Sequence, residues 1–67
     1  MLIIEYHNTR AAAEKSRRFY VKAQRQVDKV FERIWGEPVM LDAEDTYTVI
    51  PEGSAFAVAV DDPSLPQ

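Results

Sequence analysis

Lys15, Arg18, Lys22, Arg25, Lys29 and Arg33 follow one another at intervals of 3, 4, 3, 4 and 4 residues. On a helix this spacing gathers six cations into one continuous rail. A rail of that kind can lie along a nucleic-acid phosphate backbone or dock on an acidic protein surface. All eight Lys and Arg residues fall between Arg10 and Arg33, where they outnumber Glu14, Asp28 and Glu32 by five charges. The rest of the chain has eight carboxylates and no Lys or Arg, so the net charge of −3 conceals a polarised molecule. A partner meets one face at a time, so the local charge is what it feels. The plainest account of the rail is a solvated helix face, since an amphipathic helix is polar on its outer side in any case.

Two apolar side chains stand apart from the main apolar pattern. Val21 falls among polar neighbours and Trp35 closes the basic segment, and both are candidate interface anchors, although the plainer account of a Trp beside Gly36 and Pro38 is a cap on the core. Glu37, Asp42, Glu44, Asp45, Glu52, Asp61 and Asp62 concentrate in expected turns and the tail. Turns favour Asp for conformational reasons, but together these residues offer an acidic complement to a basic surface, including that of a second copy.

Catalytic and metal chemistry have little to build on. With no Cys and one His (His7), thiolate sites, disulfides and a His-based zinc site within one chain are excluded. Asp42, Glu44 and Asp45 do not match the loop that holds calcium in an EF-hand. No nucleophile pattern surrounds His7, and so small a domain has little pocket in which to desolvate a carboxylate pair. The expectation is a protein that is not an enzyme and needs no cofactor or metal.

The cations must be positioned by a helix. From Arg10 to Trp35 there is neither Gly nor Pro. Ala12, Ser16, Phe19, Ala23, Val27, Val30 and Ile34 recur at helical spacing, widened by Tyr20 and Phe31, with the rail expected opposite this stripe. Asn8 or Thr9 supplies an N-cap, Gly36 a C-terminal cap, and Pro38 bars continuation. Residues 2–6, 39–41, 46–50 and 55–60 read as strands, with Pro51-Glu52-Gly53-Ser54 as a hairpin connection and Asp42 to Asp45 as a turn. Phe56, Val58 and Val60 share one sheet face, as do Tyr47 and Val49, and as do Leu2, Ile4 and Tyr6.

The expected fold is therefore α+β in the order β-α-β-β-β. One long amphipathic helix, about 9–35, lays its apolar stripe across a small, mainly antiparallel sheet. Residues 1–62 form a single domain and 63–67 a frayed tail. At 1.5 Å per residue the helix is about 39 Å long, whereas strands of five or six residues span about 17–20 Å. Part of the stripe must overhang, and a chain of 67 residues is short of core. A homodimer answers both problems.

No signal peptide or membrane-spanning stretch is visible, so the chain reads as a complete short reading frame, soluble and cytoplasmic, with no membrane contact. Its size and lack of motifs suit the short accessory proteins of phages and mobile elements, which often block a host protein; that is an analogy of size alone. The function expected is a protein-binding module that acts stoichiometrically through its polarised surface. A nucleic-acid-binding module using the same rail on phosphates is the alternative.

Overall fold

The computed structural model describes residues 1–61; the expected tail at 63–67 lies outside them. The element order is β1 (Leu2–His7), α1 (Arg10–Trp35), α2 (Ala43–Thr46), β2 (Tyr47–Glu52) and β3 (Ala55–Val60). One long helix packs on a three-stranded antiparallel sheet of order β1-β3-β2. The fold is α+β, as expected.

The helix begins and ends where its caps require. Thr9 is extended, and its side-chain oxygen accepts from the Ala12 N–H at 3.2 Å. Gly36 takes φ 70° and donates its N–H to the Glu32 carbonyl at 2.8 Å. The β2–β3 hairpin is closed by Gly53 and Ser54. Gly53 has φ 61°, and among the described residues no non-glycine has positive φ, which fits the two-residue turn with glycine first. Pro51 lies within β2, where it is tolerated because β2 is an edge strand.

Cross-strand pairs set the sheet faces. Val49 and Glu5 flank Val58, while Ile50 and Tyr6 flank Ala57. Glu5 bonds to helix residues, so Tyr47, Val49, Phe56, Val58 and Val60 belong to the helix side. On the other side, Ala57 and Ala59 of the central strand are fully buried between the two edge strands. An irregularity between Ile3 and Glu5 adds one residue to β1. It pairs Leu2 with Val60 but Tyr6 with Ala57, so these two do not share a face as simple alternation predicts.

Two expectations about the segment after α1 are corrected. The segment 39–41 is not a strand. Residues 36–42 instead carry the chain back along α1, and Val39, Met40 and Leu41 border Arg25, Lys29 and Glu32 of the helix. From Trp35 back to Arg25, beside Asp42, is about 15 Å of helix, and this return path keeps the segment against α1 and away from the sheet edge. The Asp42–Asp45 turn continues into α2, with the Asp42 side chain accepting from the Glu44 N–H at 3.0 Å.

The larger correction concerns which helix face meets the sheet. Ala13 and Val21 are the buried residues of α1, and Ser16, Arg17, Tyr20, Gln24 and Asp28 are half-buried. At 3.6 residues per turn this arc lies roughly a quarter-turn from the apolar stripe. Phe19, Val27, Val30 and Ile34 remain 70%, 60%, 53% and 67% exposed. Specific contacts hold the helix in this rotation. Tyr20 stacks on Tyr47, with ring centroids 5.6 Å apart, and Arg17 donates to the carbonyls of Tyr47 and Glu44, both at 2.7 Å. Beyond Asp28 no residue of α1 is even half-buried, so it is the C-terminal end that overhangs. The molecule is correspondingly elongated, 44 × 24 × 13 Å, with a radius of gyration of 13.2 Å against about 11 Å for a compact chain of this length.

Candidate functional site

The outer surface of α1 carries the candidate site. Lys15, Arg18, Lys22, Arg25, Lys29 and Arg33 are all exposed. Most lie on the side of α1 turned away from the sheet, but Arg18 borders Thr48 and Val49 of β2. Among the described residues, Arg25 is the one rail cation with an ion pair, reaching Asp42 at 3.4 Å and Glu44 at 3.5 Å. Both contacts are solvent-exposed and contribute little to stability. They do neutralise part of the acidic complement within the same molecule. Asp42 is held below the usual aspartate range, first by the Glu44 N–H and then by the charge of Arg25. Arg18, Lys22 and Lys29 border a shallow groove whose floor includes Val21 and whose far wall is Glu44 of α2.

The two proposed anchors separate. Val21 is 5% exposed and packs into the core, so it is not a surface anchor. Its helical neighbours Arg17 and Gln24 belong to the half-buried arc that faces the sheet and α2, and Val21 is an apolar member of that arc. Trp35 is 66% exposed, but it turns away from the rail. Its ring instead approaches that of Phe31, centroids 6.1 Å apart. With Val27, Val30 and Ile34 these rings form one apolar surface on the overhanging end. One flat partner therefore cannot cover the rail and Trp35 together.

A polar cluster between β1 and α1 was not legible in the sequence. Glu5 accepts from the Ser16 hydroxyl at 2.8 Å and from the Tyr20 hydroxyl at 2.6 Å. His7 Nε2 lies 2.6 Å from the same carboxylate. An ionised carboxylate only accepts, so the proton of this contact sits on Nε2. Glu5 is held below the usual glutamate range, chiefly by the Tyr20 hydroxyl and next by that of Ser16, against the opposing effect of burial. Tyr20 is correspondingly raised by its bond to Glu5. A carboxylate with three donors is a poor base, and Ser16 points its hydroxyl at Glu5 rather than at His7. The cluster works as a clasp between strand and helix. The only sequence signal for it was a Glu inside an otherwise apolar strand.

Among the described residues, no three His, Cys, Asp or Glu side chains gather into a metal site, and Asp42, Glu44 and Asp45 are no exception. Nor is any helix long and apolar enough to cross a membrane. Comparison with known proteins finds no matching family, no matching curated protein and no matching solved structure.

Proposed function

We propose that this chain is a small, non-enzymatic protein-binding module that acts stoichiometrically, as a homodimer, by docking the basic rail of α1 on an acidic protein surface. The observation that carries this reading is that α1 leaves its rail and the large apolar residues of its stripe, Phe19, Val27, Val30 and Ile34, exposed. Rail cations free of ion pairs among the described residues keep their charge available to a partner. The exposed stripe supplies the apolar area that self-association requires. In so small a domain, polar contacts such as those of Ser16, His7 and Glu5 serve the fold.

Arg18→Glu, Lys22→Glu and Lys29→Glu, combined in one variant, test the rail. These residues are exposed, so helicity should be unchanged. Arg25 is left in place because it touches α2. Capture from host extract should recover a specific acidic protein with the wild type and lose it with the variant. Equal recovery of the same protein by both would refute the reading.

The second reading, a nucleic-acid contact, draws on the same free cations, which cover about 27 Å of helix. It predicts binding whose log affinity falls steeply and linearly with log salt. No DNA or RNA binding at low salt removes it.

A further inference from the structure

The buried apolar core among the described residues consists of Ala13, Val21, Ala43, Ala57, Val58 and Ala59, four alanines and two valines. Meanwhile Phe19, Val27, Val30, Phe31, Ile34 and Trp35 are 45–70% exposed. At about 150–250 Å² for each aromatic and somewhat less for each aliphatic side chain, this leaves roughly 600 Å² of apolar surface on one flank of one helix. That is at the upper end of the largest apolar patch on a typical monomer, about 300–600 Å². Two such surfaces together amount to roughly 1,200 Å², the lower bound of a stable interface.

We propose that a second copy of this chain covers the stripe, with the two α1 helices antiparallel about a two-fold axis at Ala23. The inference rests on the self-association proposed above and assigns its surface and geometry. The sequence of the stripe is itself two-fold. From Ala23 it steps 4, 3 and 4 residues to Val27, Val30 and Ile34, and by the same steps backwards to Phe19, Ser16 and Ala12. Antiparallel pairing therefore sets Ala12 against Ile34 of the second copy, Ser16 against Val30, Phe19 against Val27, and Ala23 against itself. Ala12 and Ser16 leave room for the larger residues opposite them, and the alanine at the axis lets the backbones approach. Ala12, Ala23 and Ile34 also recur every eleven residues, which keeps the stripe nearly straight along α1.

The tertiary structure supports the same arrangement. The sheet lies under the N-terminal half of α1, where Ala12, Ser16, Phe19 and Tyr20 form an open, mostly apolar groove beside Glu5 of the edge strand β1. The C-terminal half projects past the sheet. Antiparallel pairing lays the projecting half of each copy along the groove of the other and offsets the two sheets, so they do not collide. The contact is self-complementary and closes at two copies. It also brings Lys15 of one copy near Arg33 of the other, joining two rails into one broad basic surface. Added salt should therefore maintain or strengthen the dimer. A dimer made by an acidic edge on a basic rail would weaken.

The chain has no Cys, so one engineered thiol reports its own neighbourhood. Ala23→Cys should oxidise to a covalent dimer far faster than Lys29→Cys, which lies on the rail. Sedimentation equilibrium of the wild type at tens of micromolar should give twice 7.7 kDa. Phe19→Val and Val27→Phe should each weaken association by about tenfold, and the double variant should restore it, because the two positions face each other. A mass of 7.7 kDa overturns this inference together with the self-association half of the proposed function, leaving the rail to its own test. A dimeric mass without preferential cross-linking at Ala23, or without rescue in the double variant, overturns only the geometry.

Discussion

Val21 and Val30 are the same residue type on the same helix, and their structural surroundings predict opposite responses to truncation. Val21 is 5% exposed and Val30 is 53% exposed. Val21→Ala removes two buried carbons, worth about 0.8 kcal/mol each, or about 1.6 kcal/mol in all. Incomplete closure of the space between α1 and the sheet adds about 0.5 kcal/mol. Alanine's better helix propensity offsets about 0.5 kcal/mol. The net loss is about 1.5 kcal/mol. Val30→Ala gives up about half the transfer term within its own chain, makes no cavity and gains the same propensity, so its net cost is about 0.2 kcal/mol. Urea unfolding followed by far-UV circular dichroism distinguishes the two. With a slope of about 1 kcal/mol per molar for a domain of this size, Val21→Ala lowers the midpoint by about 1.5 M. Val30→Ala barely moves it at the lowest measurable concentration. At higher concentration the Val30→Ala cost should grow, because Val30 lies in the proposed contact between copies. Equal losses for both valines in dilute solution, or a larger loss at Val30, would refute the rotation of α1 described here.

Two further predictions concern the clasp and the helix end. The folded state holds Glu5 below the usual glutamate range. Its ionised form therefore stabilises the fold above about pH 4.3, and that contribution disappears as pH falls through the lowered value. Tyr20→Phe removes the largest cause of the shift, so the stability gap between wild type and variant should be widest near neutrality and shrink on acidification; an equal gap at pH 7 and pH 3 would count against the clasp. At Gly36 an added Cβ would meet nothing within 4 Å, but φ is 70°. Gly36→Ala should thus cost about 1 kcal/mol from backbone strain alone, visible as a fall of about 4–8 °C in Tm, and an unchanged Tm would argue against the left-handed cap.

Much of the fold could be read locally. Thr9, the run without Gly or Pro and Gly36 bound α1, and Gly53 with alternating β3 makes the hairpin. These features were legible because a cap, a turn or a pleat depends on residues a few positions apart. The six rail cations share one exposed face, as their spacing implies, whereas Trp35 does not cap the core but stands exposed on the overhanging end of α1. Segment 39–41 misled because a short apolar run looks the same whether it pairs or merely returns along a helix. Val21 misled because its burial depends on neighbours that the helix does not contain.

Periodicity alone determined which side chains of α1 share a face. It left open which face meets the sheet, because rotating a helix about its axis preserves every spacing along it. That rotation was decided by residues distant in sequence: Glu5 receiving the hydroxyls of Ser16 and Tyr20, Tyr47 stacking on Tyr20, and the carbonyls of Glu44 and Tyr47 receiving Arg17. These contacts favour a mixed polar arc over the more apolar stripe next to it. Tertiary structure thus leaves α1 with two exposed faces, one basic and one apolar, where the amphipathic pattern alone implied one.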